Sequence, residues 1–180
     1  MIPDEAQALS LHEKYGSDGR VVDHCRLVAS ISLALCDALA ARGRKVDRRA
    51  TLAGALLHDI GRARTQTVQH GCLGASILEQ EGVDDTVVEI VRRHVGAGIS
   101  AEEATALGFP PGDYIPRNLE ERVVCFSDKM ASSDSVQPFE QEVKRFARKG
   151  HDVPRLLALK EGLQEELGED PDRLVLRMFS

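Results

Sequence analysis

Apolar residues at helical spacing are the feature that most restricts the fold of this chain. In the segment VVDHCRLVASISLALCDALAARG, Val21, Val28, Ile31 and Leu35 follow one another at intervals of seven, three and four residues. That spacing places them on one face of an α-helix. No segment shows the sustained alternation of apolar and polar residues that a half-buried strand needs. The pattern therefore predicts an all-α fold.

Capping and turn residues divide the chain into further helices. Asp, Asn and Ser side chains accept hydrogen bonds from the first backbone N–H groups of a helix, and glycine commonly ends one. The predicted elements of the first half are a helix over about 3–15, the long helix ending near Gly43, a helix capped by Asp47, a segment from His70 to Gly82, and a helix capped by Asp84 or Asp85 that carries His94 on its apolar face.

The second half begins with a long connection. The Gly- and Pro-rich stretch from Gly96 to Pro116 is predicted to form a lid or a pocket wall. Asn118 and Glu121 then resemble a capping box for a helix that carries Asp128 inward. The C-terminal third is predicted to form two amphipathic helices and a short tail, with boundaries at Pro138, Gly150, Pro154 and Pro171.

Composition limits the class of protein. The chain of 180 residues is 42% hydrophobic and 29% charged, which is ordinary for one globular domain, so we expect a single domain over 1–180. No apolar run is expected to approach the roughly 20 residues of a membrane-spanning helix, and the N-terminus lacks the pattern of a signal peptide. Four cysteines without a Cys-x-x-Cys pair indicate reduced, mostly buried thiols. These features favour a cytoplasmic protein without membrane contacts.

Net charge bears on the partner. The formal charge of -6 argues against an extended nucleic-acid surface but permits a local basic pocket. A small anionic ligand is therefore the expected partner, and the C-terminal helices are a candidate homodimer interface.

Several ionisable side chains lie on or beside faces that are otherwise apolar. A single histidine on such a face is usually a satisfied core residue. A set of them is harder to bury, because each unpaired ionised group costs several kcal/mol. The set consists of His24, His58, Asp59, His70, His94 and Asp128. Imidazole and carboxylate donors without thiolate suit a divalent Fe, Mn, Co, Ni or Zn ion, so a metal site is predicted.

The stretch AGALLHDIGR holds the centre of this set. Successive residues of a helix point about 100° apart, so His58 and Asp59 can reach one ion only near a helix end. Gly61 is predicted to let the backbone turn there.

These residues resemble the HD-domain superfamily of metal-dependent phosphohydrolases, in the HDIG subgroup. The family signature is a His, a distant His-Asp doublet and a later Asp. His24, the doublet in LLHDIGR and Asp128 in VVCFSDKM match it over about 21–133. The resemblance implies a compact HD-domain helical bundle, with a C-terminal helical extension over about 138–180.

Two further histidines resemble those of dinuclear members, particularly the branch that hydrolyses diadenosine tetraphosphate symmetrically. By this resemblance a first metal takes His24, His58, Asp59 and Asp128. A second metal takes His70 and His94 and shares Asp59. Some dinuclear relatives have another histidine directly after the last of these, where this chain has Val95. Whether one or two ions bind is therefore open.

The activity implied by the resemblance is hydrolysis of a phosphomonoester, phosphodiester or phosphoanhydride of a nucleotide-like small molecule by metal-activated water. Asp59 is then both ligand and catalytic residue, and Arg62 and Lys129 are expected to assist at the phosphoryl group. Arg92 and Arg93 are expected to be solvated instead.

Two other functions stay open at this point. A minority of HD proteins with this ligand pattern use a di-iron centre to activate oxygen. Other HD-like domains act as metal or nucleotide sensors without turnover.

Overall fold

The computed structural model describes residues 1–180 and contains ten α-helices, one 3-10 helix and no strand. The prediction of an all-α fold is confirmed. The α-helices are α1 Glu5–Tyr15, α2 Gly19–Ala41, α3 Arg48–Leu57, α4 His70–Gln80, α5 Asp85–Arg92, α6 Ala101–Ala106, α7 Leu119–Met130, α8 Phe139–Lys149, α9 Val153–Leu167 and α10 Pro171–Phe179; the 3-10 helix is Ile60–Ala63.

Helix α2 is the central element of the core. It packs against α3, α7, α9 and α10. Its apolar face, which includes Ile31, Leu35 and Leu39, is fully buried. This burial removes apolar surface from water and is the main favourable term in folding. The main core cluster of 36 residues extends from α1 to α10, so the C-terminal helices share it.

Helix α2 also corrects one expectation about membranes. Its 23 residues include an 18-residue window with a mean hydropathy of 1.4, so by length and composition alone it qualifies as a candidate membrane span. Half of that window is buried inside the protein. Asp23, Arg26 and Asp37 interrupt the apolar run, so the sequence alone did not indicate a candidate membrane span here.

The predicted caps are largely confirmed. Asp47 accepts hydrogen bonds at the start of α3, and Asp84 rather than Asp85 caps α5. Only half of the predicted capping box of α7 forms. The Asn118 side chain accepts from the backbone N–H of Glu121 at 2.9 Å, but the Glu121 carboxylate accepts from the backbone N–H of Arg117 and the side-chain amide of Asn118, not from the backbone N–H of Asn118.

Three predicted boundaries are wrong. Helix α5 ends at Arg92, so His94 lies in the loop beyond it. The connection over 96–116 contains α6, which starts with a capping box between Ser100 and Glu103. The predicted C-terminal tail is α10, because Pro171 occupies its first turn and an apolar face of the helix is buried in the core.

The predicted reason for glycine at position 61, a turn of the backbone, is not the one that the structure shows. Its φ is not positive, so no left-handed conformation requires glycine. A Cβ atom at Gly61 would instead lie 1.9 Å from the carbonyl oxygen of His70 and 2.7 Å from the backbone nitrogen of Gly74. Glycine therefore lets the 3-10 helix lie directly against the start of α4.

Substitution of Gly61 by alanine tests this close approach. We expect Gly61→Ala to lower the free energy of unfolding by about 2–3 kcal/mol, because backbone atoms must move to admit the methyl group. Chemical denaturation in the presence of a chelator measures it.

Gly162→Ala in α9 is the matched control. The nearest atom to its added Cβ is 3.8 Å away, and we expect a gain of up to about 1 kcal/mol from helix propensity. Equal effects at the two positions would contradict the close-approach explanation.

Candidate metal centre

The first half of the centre joins α2, the end of α3 and α7. His24 Nε2 lies 2.9 Å from Asp128 Oδ1. His58 Nε2 lies 3.5 Å from the same oxygen and 3.8 Å from Asp59 Oδ2. The predicted ligands of the first metal are thus brought together from segments that are as much as 104 residues apart in sequence.

The second half joins the start of α4 to the loop after α5. His70 Nε2 and His94 Nε2 lie 3.1 Å and 3.4 Å from Asp59 Oδ1, and 3.0 Å from each other. Asp59 therefore directs one oxygen toward each half of the centre. The carboxylate lies between the two histidine groups, where the predicted shared ligand would have to lie.

Backbone carbonyl groups orient all four imidazole rings. The Nδ1–H groups donate to Ser132 O at 3.3 Å for His24, Ala55 O at 2.8 Å for His58, Thr67 O at 2.8 Å for His70 and Val91 O at 2.6 Å for His94. A carbonyl oxygen can only accept, so each neutral ring carries its proton on Nδ1 and presents the Nε2 lone pair to the centre.

The donor set fits a cation. His58 Nε2 and Asp59 Oδ1 are buried without a hydrogen-bond partner, which is costly for polar atoms. The Nε2 lone pairs of His70 and His94 face each other beside a carboxylate oxygen. One triad, His24, His58 and Asp59, and a second, Asp59, His70 and His94, each have donor atoms within 4.8 Å of one another. Imidazole nitrogen and carboxylate oxygen suit divalent transition metals.

Charge coupling inside the centre shifts its pKa values. Burial alone would lower the pKa of His58, but the negative charges of Cys25 and Asp59 raise it well above the ordinary value. Burial alone would raise the pKa of Asp59, but the charge of His58 and the nearby rings of His70 and His94 hold it well below the ordinary value. The carboxylate is therefore ionised at neutral pH.

Two further candidate ligands, His94 and Asp128, also have lowered pKa values. Burial, together with the nearby charges of His58 and His70, lowers the pKa of His94 to about 4. Burial would raise the pKa of Asp128, but Lys129 and His24 hold it well below its ordinary value. A neutral imidazole and an ionised carboxylate are the protonation states that a metal requires.

Proton release is the predicted signature of metal binding. The raised pKa keeps His58 protonated at neutral pH in the metal-free protein, so an ion at its Nε2 must displace that proton. We expect metal affinity to fall by about tenfold for each unit of pH decrease below that pKa.

Titration calorimetry in two buffers of different ionisation enthalpy measures the proton count at pH 7. The expected result is about one proton released with the first ion. No proton release would contradict a role for His58 as ligand.

Arg62 and Lys129, the two basic residues predicted to assist at the phosphoryl group, occupy different positions. Arg62 Nε donates to Asp59 Oδ2 at 2.6 Å, and Arg62 also lines the clefts outside the centre. Lys129 is buried, pairs with Asp128 and donates to the carbonyl oxygen of His94 at 3.4 Å. Lys129 thus links the two halves of the centre.

The expectation that Arg93 is solvated is wrong. It is buried between Glu89 and Glu121, with its Nη1 3.3 Å from Glu121 Oε1. This pair ties the loop that carries His94 to the start of α7. Arg92 is half-buried and pairs with Glu79 and Glu89, away from the centre.

Two clefts open onto the centre, with volumes of about 1400 Å³ and 580 Å³. Arg62, Gln66, Asp128 and Arg145 line both of them. Helix α8 forms a wall of each cleft. The prediction of two amphipathic helices in the C-terminal third did not single out this wall, although the basic residues at helical spacing in FEQEVKRFARK indicate it.

The other titratable core residues lie outside the donor set. All four cysteines are free, and Cys25, Cys36 and Cys125 are buried, which confirms the expectation of mostly buried thiols. The buried His12 is satisfied by Ser17 Oγ and by the carbonyl oxygen of Leu56, both at 2.7 Å.

The fold and the buried His-Asp centre define an all-α protein with a candidate metal site. The family model of the HD domain matches residues 21–133, and the chain belongs to the HD domain family. The matched range contains all six candidate ligands. It ends before α8.

Curated relatives extend the similarity over almost the whole chain. Proteins named tRNA (cytidine(56)-2'-O)-methyltransferase from Thermoplasma volcanium and Picrophilus torridus are each 38% identical, over 97% and 95% of this chain. The match covers only 51% and 49% of their lengths, so the chain spans about half of these relatives. An uncharacterized protein of Methanocaldococcus jannaschii is 37% identical over 89% of this chain and 97% of its own.

Solved structures agree on the fold. The HD domain of the L. monocytogenes phosphodiesterase PgpH superposes with a TM-score of 0.60 at 15% identity, covering 93% of this chain and 96% of that one. The same domain in complex with cyclic-di-AMP gives a TM-score of 0.59 at 14% identity, covering 94% and 95%. These likenesses support the HD-domain helical fold.

Metal stoichiometry separates the two halves of the centre. We expect about two ions for each chain, and about one after His70→Ala or His94→Ala, because these residues contact only the second half. Elemental analysis after loading with Mn²⁺ measures the content.

His151→Ala is the matched control, since His151 lies in the cleft wall outside the donor set, and it should retain the full content. A content near one in the unchanged protein, unaffected by His70→Ala, would contradict two sites.

Proposed function

We propose that this protein is a metal-dependent phosphohydrolase that cleaves a phosphate ester or anhydride of a small nucleotide-like molecule. The observation that carries the proposal is the position of Asp59, whose two oxygens face separate histidine groups. His24, His58, Asp59 and Asp128 would hold one ion. His70, His94 and Asp59 would hold a second, as in dinuclear HD members such as the symmetrical diadenosine tetraphosphate hydrolases.

Bound divalent ions would supply Lewis acidity and a hydroxide from a metal-bound water for attack on phosphorus. The chain supplies the orientation. Arg62 uses Nε to hold Asp59, and the same side chain lines both clefts, where its guanidinium group can bind a phosphoryl oxygen. Lys129 holds Asp128 in place from a buried position, so we assign it a positioning role.

The substrate class is supported by the comparisons. The HD domain of PgpH has been solved in complex with cyclic-di-AMP, a nucleotide. Two curated relatives carry a name that concerns tRNA, although the chain spans only about half of them. We assign phosphate hydrolysis rather than methyl transfer, because buried imidazole and carboxylate donors serve metal-activated water, which methyl transfer does not need.

The proposal also covers the domain organisation, the location and the oligomeric state of the protein. The core shared by α2 and the C-terminal helices supports one domain over 1–180. Four free thiols support a reducing, cytoplasmic location. We also propose that the protein forms a homodimer through its C-terminal helices.

Hydrolysis of a substrate panel tests the function. Protein loaded with Mn²⁺, Co²⁺ or Fe²⁺ should release phosphate or a nucleotide product that mass spectrometry identifies. Asp59→Asn and Asp128→Asn should each reduce the rate by more than about a hundredfold, because changes to mere partners of metal ligands already cost 10- to 100-fold. Asp113→Asn, at an exposed position, should retain the rate.

The same panel separates the alternatives. An oxygen electrode on the iron-loaded protein should show no uptake during turnover. Oxygen consumption with cleavage of a carbon bond would establish the di-iron oxygenase instead. Metal and nucleotide binding without any product would establish a sensor.

A further inference from the structure

Helix α8 presents a basic stripe to the metal centre. Lys144, Arg145, Arg148 and Lys149 occupy positions i, i+1, i+4 and i+5, which lie on one side of a helix. The first three line the larger cleft, and Arg145 and Lys149 line the smaller one. Arg145 and Asp128 each line both clefts, so Arg145 lies where the two clefts meet.

The stripe is anchored by a buried carboxylate. Glu142 is 1% exposed, and both of its oxygens accept hydrogen bonds from Nε and Nη2 of Arg145. This bidentate pair fixes the guanidinium plane, while about half of the Arg145 side chain stays exposed to the cleft. Phe139 stacks on Phe126 of α7 with ring centroids 5.2 Å apart, which holds α8 against the helix of Asp128.

Two cations of the stripe have no acidic partner. Arg148 and Lys149 form no ion pair, and Lys144 pairs only with the exposed Glu140. Basic residues in the last turn are favoured by the helix dipole, which explains their sign. The dipole does not explain why the stripe extends back to Lys144 or why it faces the same clefts as Arg62.

We propose that this stripe binds a second phosphate group of the substrate while the scissile phosphate lies at the metal centre. The inference rests on the proposed function and narrows its substrate class to nucleotides that carry at least two phosphate groups. Guanidinium groups match phosphate oxygens in a planar, bidentate way, and lysine adds a point charge. A nucleotide with one phosphate group would place that group at the metal centre and would have no phosphate to contact the stripe.

The double variant Arg148→Gln, Lys149→Gln tests the stripe. Arg145 is left intact, because its removal would leave Glu142 buried and unpaired. Arg49→Gln, Arg173→Gln is the matched control, since both residues are exposed, form no ion pair and lie outside the clefts. The two variants have the same net charge.

Equilibrium binding gives a readout that does not depend on turnover. Titration calorimetry with Mn²⁺-loaded and with metal-free protein compares adenosine monophosphate with the methylene-bridged analogue of adenosine diphosphate. We expect the unchanged protein to prefer the two-phosphate ligand, and the stripe variant to lose on the order of tenfold of that preference. The control should keep it.

Turnover supplies the second readout. The ratio of kcat/KM for a two-phosphate nucleotide to that for bis(p-nitrophenyl) phosphate should fall by a similar factor in the stripe variant, mainly through KM. An unchanged preference in both measurements, an equal loss for both ligands, or no binding of either ligand would overturn the inference.

The two proposals fail separately. If no substrate is hydrolysed but the two-phosphate preference is present and lost in the stripe variant, the anion site stands and the hydrolase proposal fails. If hydrolysis occurs and the preference is the same in variant and control, the hydrolase stands and the stripe does not bind substrate.

Discussion

The carboxylate of Asp59 is the group on which the rest of the centre depends. It is 5% exposed and ionised, so it needs positive charge on both of its oxygens. Arg62 and His58 lie on one side, and His70 and His94 lie on the other. The close contact of the 3-10 helix with α4, possible only because residue 61 is glycine, is what brings these two sides to one carboxylate.

A helical scaffold with an ordinary apolar core compensates the free-energy cost of burying so many ionisable groups. Long apolar faces on α2, α3 and α7 form one core, and His58, His70 and His94 lie at helix ends or in a loop, where backbone carbonyl groups are free to accept from Nδ1–H. Lys129 and the pair of Arg93 with Glu121 then join the loop of His94 to α7. Orientation of the ligands thus comes from backbone and charge pairs, and the apolar core supplies the rigidity.

Much of this arrangement was readable in the sequence, and the exceptions have physical reasons. His24, His58 and Asp128 follow from helical spacing, because their faces are apolar. His94 was placed on a helix that ends two residues earlier, since periodicity does not mark where a loop begins. Glu121 looked like a capping residue, but its buried carboxylate is paired with Arg93 across 28 residues, a contact that no local pattern encodes. The sequence predicted only amphipathic helices in the C-terminal third, because the clefts that the basic stripe of α8 lines are formed with residues distant in the sequence.

If the centre hydrolyses phosphates as proposed, the walls around it would supply the selectivity between substrates. The HD family match ends at residue 133, whereas the curated relatives at 37–38% identity extend into the C-terminal helices. In the proposed hydrolase, residues 21–133 would hold the metal centre that cleaves the phosphate, and α8, outside that range, would select the anion held beside it.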